Sequence, residues 1–557
     1  MPVDIEKYIE FLEKSNAEQA KTNEELRATI QSLRQQIANL NETLDEFKRM
    51  LFGTSSEKTK KSKKTDGEDM ITVGEPSQTV VKQHTRTRKP KSLRRDLYEA
   101  LPVQEVMCEV PENKRICPDC DTPMIHLGNK TVREELRVEP AKVYLVRYIQ
   151  ESLICPVCKE EGDTTIVKAP VPTALMVHSP ASAGIVALVM YNKVFMDLPF
   201  YRQSKDWKEK GLPLSRDTMA NWFNYCAVEY FTPLVELMHI ELITREVIHA
   251  DEVPCQVLHE EGKDATSKSY MWIYLSGTDG KPPITIYDYR PGRSGDHPIE
   301  FLDGFNGLLH CDGYSAYGRI EDVILVCCTA HCRRKFYEAV PAGRRKKLKL
   351  LDINSEQEIE NPITALKDDE NLTAAEKGVL YCNLLFYYER QFKKLQPEDR
   401  KQKRLETEVP VWNEFFEWID ILNPTGGSKL EKAVNYAINH KESLMNYLLD
   451  GRCELSNNAA ERKAKSYVMA RKNFLFHNTV KGANATAMVF SLVETAKANN
   501  LNVFQYLYTV LLYMPDYINN QDGIKQLLPW SEFIQQNCTG ITDIEKIKPE
   551  TRGNLPV

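Results

Sequence analysis

The sequence predicts a multidomain α+β protein, and three observations predict it. A heptad seam lies near the N-terminus, two Cys-x-x-Cys knuckles follow, and strand-type runs then alternate with helical segments. At 557 residues the chain exceeds one small core. With 42% hydrophobic and 27% charged residues it has the balance of a soluble globular protein. The longest apolar run, around Ala183–Tyr191, is too short to span a bilayer, and the N-terminus carries no secretory h-region. A cytoplasmic location without a membrane partner is therefore expected. Fourteen cysteines in such a chain point to thiols and metal ligation rather than a disulfide scaffold. The net charge of −6 hides an asymmetry, because Lys58–Arg95 holds twelve Lys/Arg against four Asp/Glu. Local charge, not the total, sets attraction to phosphate.

Residues 1–53 form the first unit. Leu26, Ile30, Leu33, Ile37, Leu40, Leu44, Phe47 and Leu51 step by fours and threes, the pattern of a coiled coil that pairs protomers. An amphipathic helix docked on its own chain would show the same spacing. Residues 54–96 lose periodicity and read as a linker. The second half of this linker, with Lys82, Arg86, Arg88, Lys89, Lys91, Arg94 and Arg95, carries no acid. It fits a solvated tether or an arm that tracks phosphates.

In residues 97–175, Cys117-Pro-Asp-Cys120 and Cys155-Pro-Val-Cys158 supply the four corners of one structural Zn²⁺ site. Alternating segments between the pairs suggest a β-rich zinc ribbon. Residues 176–243 are helical in pattern. Lys210-Gly-Leu-Pro-Leu-Ser215 breaks them before Arg216-Asp-Thr-Met-Ala-Asn-Trp222, with Ser215 placed as an N-cap. This fits a helix-turn-helix presenting Arg216 and Asn221 to a groove, or two helices of an all-α linker.

The core begins at residue 244. Val247–Leu258, Tyr270–Leu275 and Pro283–Tyr289 read as consecutive strands, Asp296–Phe305 as a short helix, and Gly307–Cys311 and Val323–Cys328 as further strands. That is the order of a ribonuclease-H-like fold, with its first part at 244–335. A polar helical insertion at 336–450 follows, and 451–515 completes the core with a helix opened by Asn457-Asn-Ala-Ala-Glu461. Residues 516–557 are left as a C-terminal tail.

Asp251 on the first strand, Asp312 at the end of the fourth and Glu461 on the late helix are the candidate catalytic residues. Their convergence would suit two Mg²⁺ (or Mn²⁺) ions in phosphodiester chemistry. Each acid also has an ordinary explanation. Asp312-Gly313 is a turn signal. Asn458-Ala-Ala-Glu461 matches the spacing of a helix capping box. Glu252 alternates to the other side of the strand from Asp251. Cys328-Thr-Ala-His331 follows the fifth strand, where His331 orders the site, meets a phosphate as His⁺, or is a core histidine. Arg333, Arg334, Arg462, Lys465, Arg471 and Lys472 offer positive charge for a DNA strand, or are helix-surface cations.

These residues resemble a known family. Leu51-Phe-Gly-Thr-Ser-Ser-Glu57-Lys, the paired knuckles, Leu198-Pro-Phe-Tyr-Arg-Gln203 and Ala250-Asp-Glu-Val-Pro254 are similar to the transposases of the bacterial insertion sequence 66 family. So are Asp312-Gly-Tyr-Ser-Ala-Tyr317, Ala330-His-Cys-Arg-Arg-Lys-Phe336, Asn457-Asn-Ala-Ala-Glu461-Arg and Arg471-Lys-Asn-Phe-Leu-Phe476. The resemblance implies a DDE transposase with Asp251, Asp312 and Glu461 as its triad and Cys328–His331 as a C-x-x-H signature. It also implies nicking at terminal inverted repeats, strand transfer into target DNA, and two small accessory proteins. Val253, Thr329 and Phe474 depart from the family pattern, which has Thr, Trp and Trp there, and the resemblance ends near Tyr513.

The expected protein is thus a DNA-binding homo-oligomer that needs no guide nucleic acid. Two rival readings are a zinc-containing DNA-binding regulator with an inactive core, and a structure-selective nuclease that does not join strands.

Overall fold

The computed structural model describes residues 172–345 and 372–542, with Leu145, Arg147, Ser152–Ile154 and Ile166–Lys168. The expected coiled coil, the basic arm (Arg86, Arg88, Lys89, Arg94, Arg95) and the knuckle cysteines (Cys117, Cys120, Cys155, Cys158) lie outside these residues. Within the expected ribbon region, β1 (Ser152–Ile154) pairs antiparallel with β2 (Ile166–Lys168).

Among the described residues, four helices follow. They are α1 (Ala183–Val194), α2 (Phe200–Glu209), α3 (Arg216–Cys226) and, after a π-helical turn at Ala227–Phe231, α4 (Thr232–Ile243). Ser215 caps α3 as its sequence position suggests, accepting the Thr218 N–H at 3.0 Å. Arg216 and Asn221 lie exposed on that helix. These helices are not a detached domain. Val186, Met190, Phe223 and Phe231 belong to the same buried apolar cluster as Ile286, Phe490 and Leu511.

The central sheet is mixed. Strands β3 (Val247–His259), β4 (Lys268–Ser276) and β5 (Thr285–Arg290) run antiparallel, while β6 (Leu308–Cys311) and β7 (Ile324–Cys327) run parallel to β3, giving the order β5-β4-β3-β6-β7. Between β5 and β6 lies the short α5 (Asp296–Phe301), whose Phe301 stacks on Tyr274 with ring centres 3.8 Å apart. A further strand, β8 (His477–Thr479), pairs with the far end of β3. Nothing in its three residues alternates long enough to announce it.

After β7 come α6 (Thr329–Ala339), α7 (Ala374–Phe392), α8 (Pro397–Asp420), α9 (Lys429–Asn439) and α10 (Lys441–Met445). The chain then enters α11 (Asn458–Phe474), β8 and α12 (Val480–Ala498). Helix α12 closes the open edge of β5. Ser491 and Thr495 hydroxyls accept the Tyr287 and Thr285 backbone N–H groups at 2.9 and 3.0 Å. An edge strand satisfied by hydroxyls offers no template for another strand.

The tail expected at 516–557 needs correction. As far as Thr542 it is folded: α13 (Val503–Tyr517) leads into α14 (Gln521–Gln526) and α15 (Glu532–Asn537), and Leu527, Ile534 and Cys538 are fully buried. The polar composition of the segment concealed these few apolar anchors.

One buried cation ties the helical insertion to the core. Arg404 on α8 is fully enclosed, pairs with Glu389 at 2.6 Å, and donates to the carbonyls of Tyr447, Asp450 and Cys453 at 3.1, 3.0 and 2.8 Å. These carbonyls lie on the approach to α11, so Arg404 fixes where α11 begins. Nearby, Tyr447 donates its hydroxyl to Glu408 at 2.6 Å. Breaking one partner of such a buried pair leaves an uncompensated charge. Arg404→Ala is expected to lower stability by about 3–5 kcal/mol, read as an earlier midpoint in urea unfolding. An unchanged midpoint would show that the guanidinium carries no such load.

Candidate active site

The site is built from the parallel pairing of β3 with β6. Val247, Ile248 and His249 lie opposite Leu308, Leu309 and His310. Side chains alternate along a strand, so His249 and Asp251 share a face, as do His310 and Asp312. The same register carried two residues further sets Asp251 beside Asp312, on strands roughly 4.8 Å apart. Each strand thus repeats the motif His-x-Asp. The histidine rings stack beneath, with centres 4.2 Å apart and planes 15° from parallel.

Burial holds both histidines below their usual range, and His249 depresses His310 further. They form a neutral floor. Above it, burial is the main cause that pushes the Asp251 carboxyl up to about 7, with the charges of Glu252, Asp312 and Glu461 adding to it. Asp251 accepts the Glu252 N–H at 2.9 Å and Asp312 accepts the Tyr314 N–H at 2.8 Å.

Asn457 joins the Glu461 helix to this pair. Its Oδ1 lies 3.0 Å from His249 Nδ1, its Nδ2 donates to the Ala250 carbonyl at 2.7 Å, and its backbone N–H donates to Cys328 Sγ at 3.1 Å. With Oδ1 as acceptor, the His249 proton resides on Nδ1. Asn457 is buried, at 1% exposure. It precedes α11, yet its side chain makes no cap bond to that helix. Asn458 is the first residue of α11 rather than its N-cap, so the capping box read from Asn458 to Glu461 is not realised. Asn457 belongs to a motif in the sequence that shows no task for it, and nothing local marks His249 or His310.

Glu461 sits in the first turn of α11. Its Oε1 lies 3.7 Å from His331 Nδ1, and its Oε2 lies 3.7 Å from the Arg334 guanidinium. Among the described residues, Cys328, His331 and Glu461 form the group of potential metal ligands whose donor atoms all lie within 4.8 Å of one another. The three acids do not gather that closely. Glu461 is near enough to raise Asp251, but its carboxylate rests against α6. Burial and Arg334 keep His331 below its usual range, which leaves it neutral rather than a phosphate-binding cation. Burial pushes the Cys328 thiol up to about 11.

The turn after β6 is clamped from both sides. Gly313 has φ +85°, and a Cβ there would lie 3.0 Å from the Tyr436 hydroxyl and 3.2 Å from the His440 ring. Tyr436, from the insertion, donates to the Asp312 carbonyl at 3.0 Å. On the other side, Arg293 covers the Tyr314 ring at 3.9 Å and donates to Glu252 at 2.7 Å, and Tyr317 also donates to Glu252, at 2.8 Å. Glu252 is thereby committed to holding this turn.

The candidate DNA-contact residues divide. Arg462, Lys465 and Lys472 are exposed and follow steps of three and seven along α11, so they share one face. Arg334 is exposed beside Glu461, and Arg216 is exposed near the Tyr201 ring. Arg333 instead donates to Asn383 at 2.5 Å, and Arg471 donates to the Pro254 carbonyl. Those two are engaged within the fold.

A raised Asp251 pKa has a definite consequence for stability. Folding favours the protonated carboxyl, so nothing is lost below the unfolded value near 3.9. The penalty grows as pH rises towards about 7 and is complete above it. In chelator-treated protein, Asp251→Asn is expected to raise the melting temperature by a few degrees at pH 8 and to leave it nearly unchanged at pH 4. An equal shift at both pH values would show that ionisation of Asp251 does not burden the fold.

Comparison with known proteins finds four matching stretches along the chain. Residues 178–485 match the transposase IS66 family model, 491–530 the IS66 C-terminal element, and 114–159 the zinc-finger binding domain of transposase IS66. Residues 39–106 match a model described as transposase C of IS166 homeodomain. Three similar proteins come from Sinorhizobium fredii (strain NBRC 101917 / NGR234), each titled uncharacterized. They are y4hP, 25% identical over 83% of this chain and 81% of its own, y4jD, 27% over 78% and 81%, and y4qI, 26% over 91% of both. No described helix is long and apolar enough to cross a membrane. The zinc-finger match contains all four knuckle cysteines, and the match to the transposase model spans the sheet and α11, so the chain belongs to the insertion sequence 66 family of transposases.

Proposed function

We propose that this transposase is a DDE-type enzyme that cleaves DNA at terminal inverted repeats and joins the ends to target DNA, using Asp251, Asp312 and Glu461. One observation carries the reading. Two aspartates stand in neighbouring register on parallel strands, one of them with its carboxyl pushed up to about 7, and a buried asparagine fastens the helix of the third acid to the same strand. Crowded aspartates that make no ion pair among the described residues favour the arrival of divalent cations. Mg²⁺ or Mn²⁺ held there would stabilise charge on the scissile phosphate and sharpen a water or 3′-hydroxyl as nucleophile.

The remaining parts follow from the chain itself. The strand order and the positions of the three acids support a ribonuclease-H-like core. Arg462, Lys465 and Lys472 present a basic stripe beside Glu461 on which a DNA backbone can run. Helices α2 and α3 offer Arg216 and Asn221 at a helix-turn-helix corner. Cys117, Cys120, Cys155 and Cys158 hold one Zn²⁺ in a ribbon that, with the basic arm, grips the element ends. The heptad seam pairs protomers, and the two accessory proteins and a nucleoid location accompany that role.

A strand-transfer assay with precut 3′-hydroxyl ends and Mg²⁺ tests the proposal. Asp251→Asn, Asp312→Asn and Glu461→Gln should each lose joining and cleavage by more than the roughly 10–100-fold that outer partners of a metal ligand account for, while retaining binding to the repeats. Parent-like activity in the aspartate variants would overturn the triad. Cleavage without joined product would show a nuclease, and binding without either activity a regulator.

A further inference from the structure

We infer that Cys328, His331 and Glu461 form a second metal site, one for a borderline-soft divalent ion of the zinc class. Of these three residues the proposed hard-cation site uses Glu461 alone, and the ribbon is separate from them in sequence. Three features support it.

The donors are a sulfur, an imidazole nitrogen and a carboxylate oxygen, all mutually within 4.8 Å. A thiolate in the set selects zinc-class ions over magnesium. Two donors about 2.0–2.1 Å from a tetrahedral ion stand roughly 3.4 Å apart, close to the 3.7 Å between His331 Nδ1 and Glu461 Oε1.

Those two atoms are buried, and neither has a hydrogen-bond partner among the described residues. Unsatisfied polar atoms facing one another in a partly dry site are costly unless something is bound between them.

The surroundings hold the donors in place. Cys328 is the N-cap residue of α6, at its positive end, and its sulfur receives the Asn457 N–H at 3.1 Å. His331 stands one turn into the same helix. Arg334 engages the other oxygen of Glu461 at 3.7 Å, leaving Oε1 to the shared space. Binding replaces the Cys328 S–H bond with a metal–sulfur bond and releases that proton to solvent. Three protein ligands leave a fourth position open.

The consequence for activity rests on the triad proposal. Because Glu461 serves both sites, a zinc-class ion on α6 keeps that carboxylate away from Asp251 and Asp312. Zinc therefore opposes magnesium at one residue.

The test uses the full chain equilibrated with a small excess of Zn²⁺, desalted, and analysed for metal content, with thermal melting confirming that each variant folds. Cys328→Ser and His331→Ala should each carry one zinc fewer per chain than the parent, whatever the ribbon holds. With Co²⁺ in place of zinc, the parent-minus-variant difference spectrum should show thiolate charge transfer for Cys328→Ser, which keeps the measurement decisive if one variant is unstable. Variants that keep the parent's zinc content, or a flat cobalt difference spectrum, overturn the site. Glu461→Gln separates the two proposals. Loss of the zinc with cleavage intact supports this site and removes the triad, whereas loss of cleavage with the zinc retained supports the triad and removes Glu461 from this site.

Discussion

The parallel alignment of β3 and β6 constrains more of this molecule than any other contact, because a one-residue slip would reverse every side chain on β6. The aligned histidines stack face to face in a dry layer, and stacking rings leave little room for another register. Once that layer is set, Asp251 and Asp312 must emerge together above it. The histidines therefore do structural work that places two like charges side by side, an arrangement the fold would otherwise avoid. Their neutrality matters equally, since a charged imidazolium below the acids would pair with them.

The third acid is positioned by different means. Glu461 is on a helix separated from Asp312 by 148 residues, and distance along the chain has to be recovered by specific anchoring. Arg404 gathers three carbonyls just before the helix, and Asn457 then fixes its first residue against Ala250 and His249. Between them the insertion acquires a structural purpose. It also reaches over the site, where Tyr436 and His440 close on Gly313. The insertion is consequently part of the frame that holds Asp312, not an ornament beside it.

Much of this frame was legible in the sequence. Strand-type runs placed β3 to β7 within about two residues, and Ser215 announced α3 through ordinary capping chemistry. The acids could be nominated because each ended or interrupted a recognisable element. The partners of those acids were harder to see. The His-x-Asp repeat on β3 and β6 was in plain view, but its meaning depends on register, which no local pattern specifies. The capping-box spacing pointed to Asn458, one residue past the actual N-cap, while the side chain of Asn457 itself is drawn to His249 and Ala250. β8 and the anchors Leu527 and Ile534 escaped notice because three residues, or isolated apolar ones, carry no period.

What remains is the conflict at Glu461. Its charge is felt at Asp251, so it belongs to the same electrostatic neighbourhood as the aspartates, while its oxygens face His331 and Arg334. The proposed triad asks that carboxylate to change partners by side-chain rotation while Asn457 secures the backbone. The cheaper partner then depends on which charges are present. With no cation at the aspartates, rotation towards them adds a third negative charge to two that already repel, and Arg334 offers the better surroundings. If the proposed cations bind there, the repulsion becomes attraction and the preference reverses. On the proposed triad, one side chain has two sets of partners to choose between, and the ions in solution decide between them.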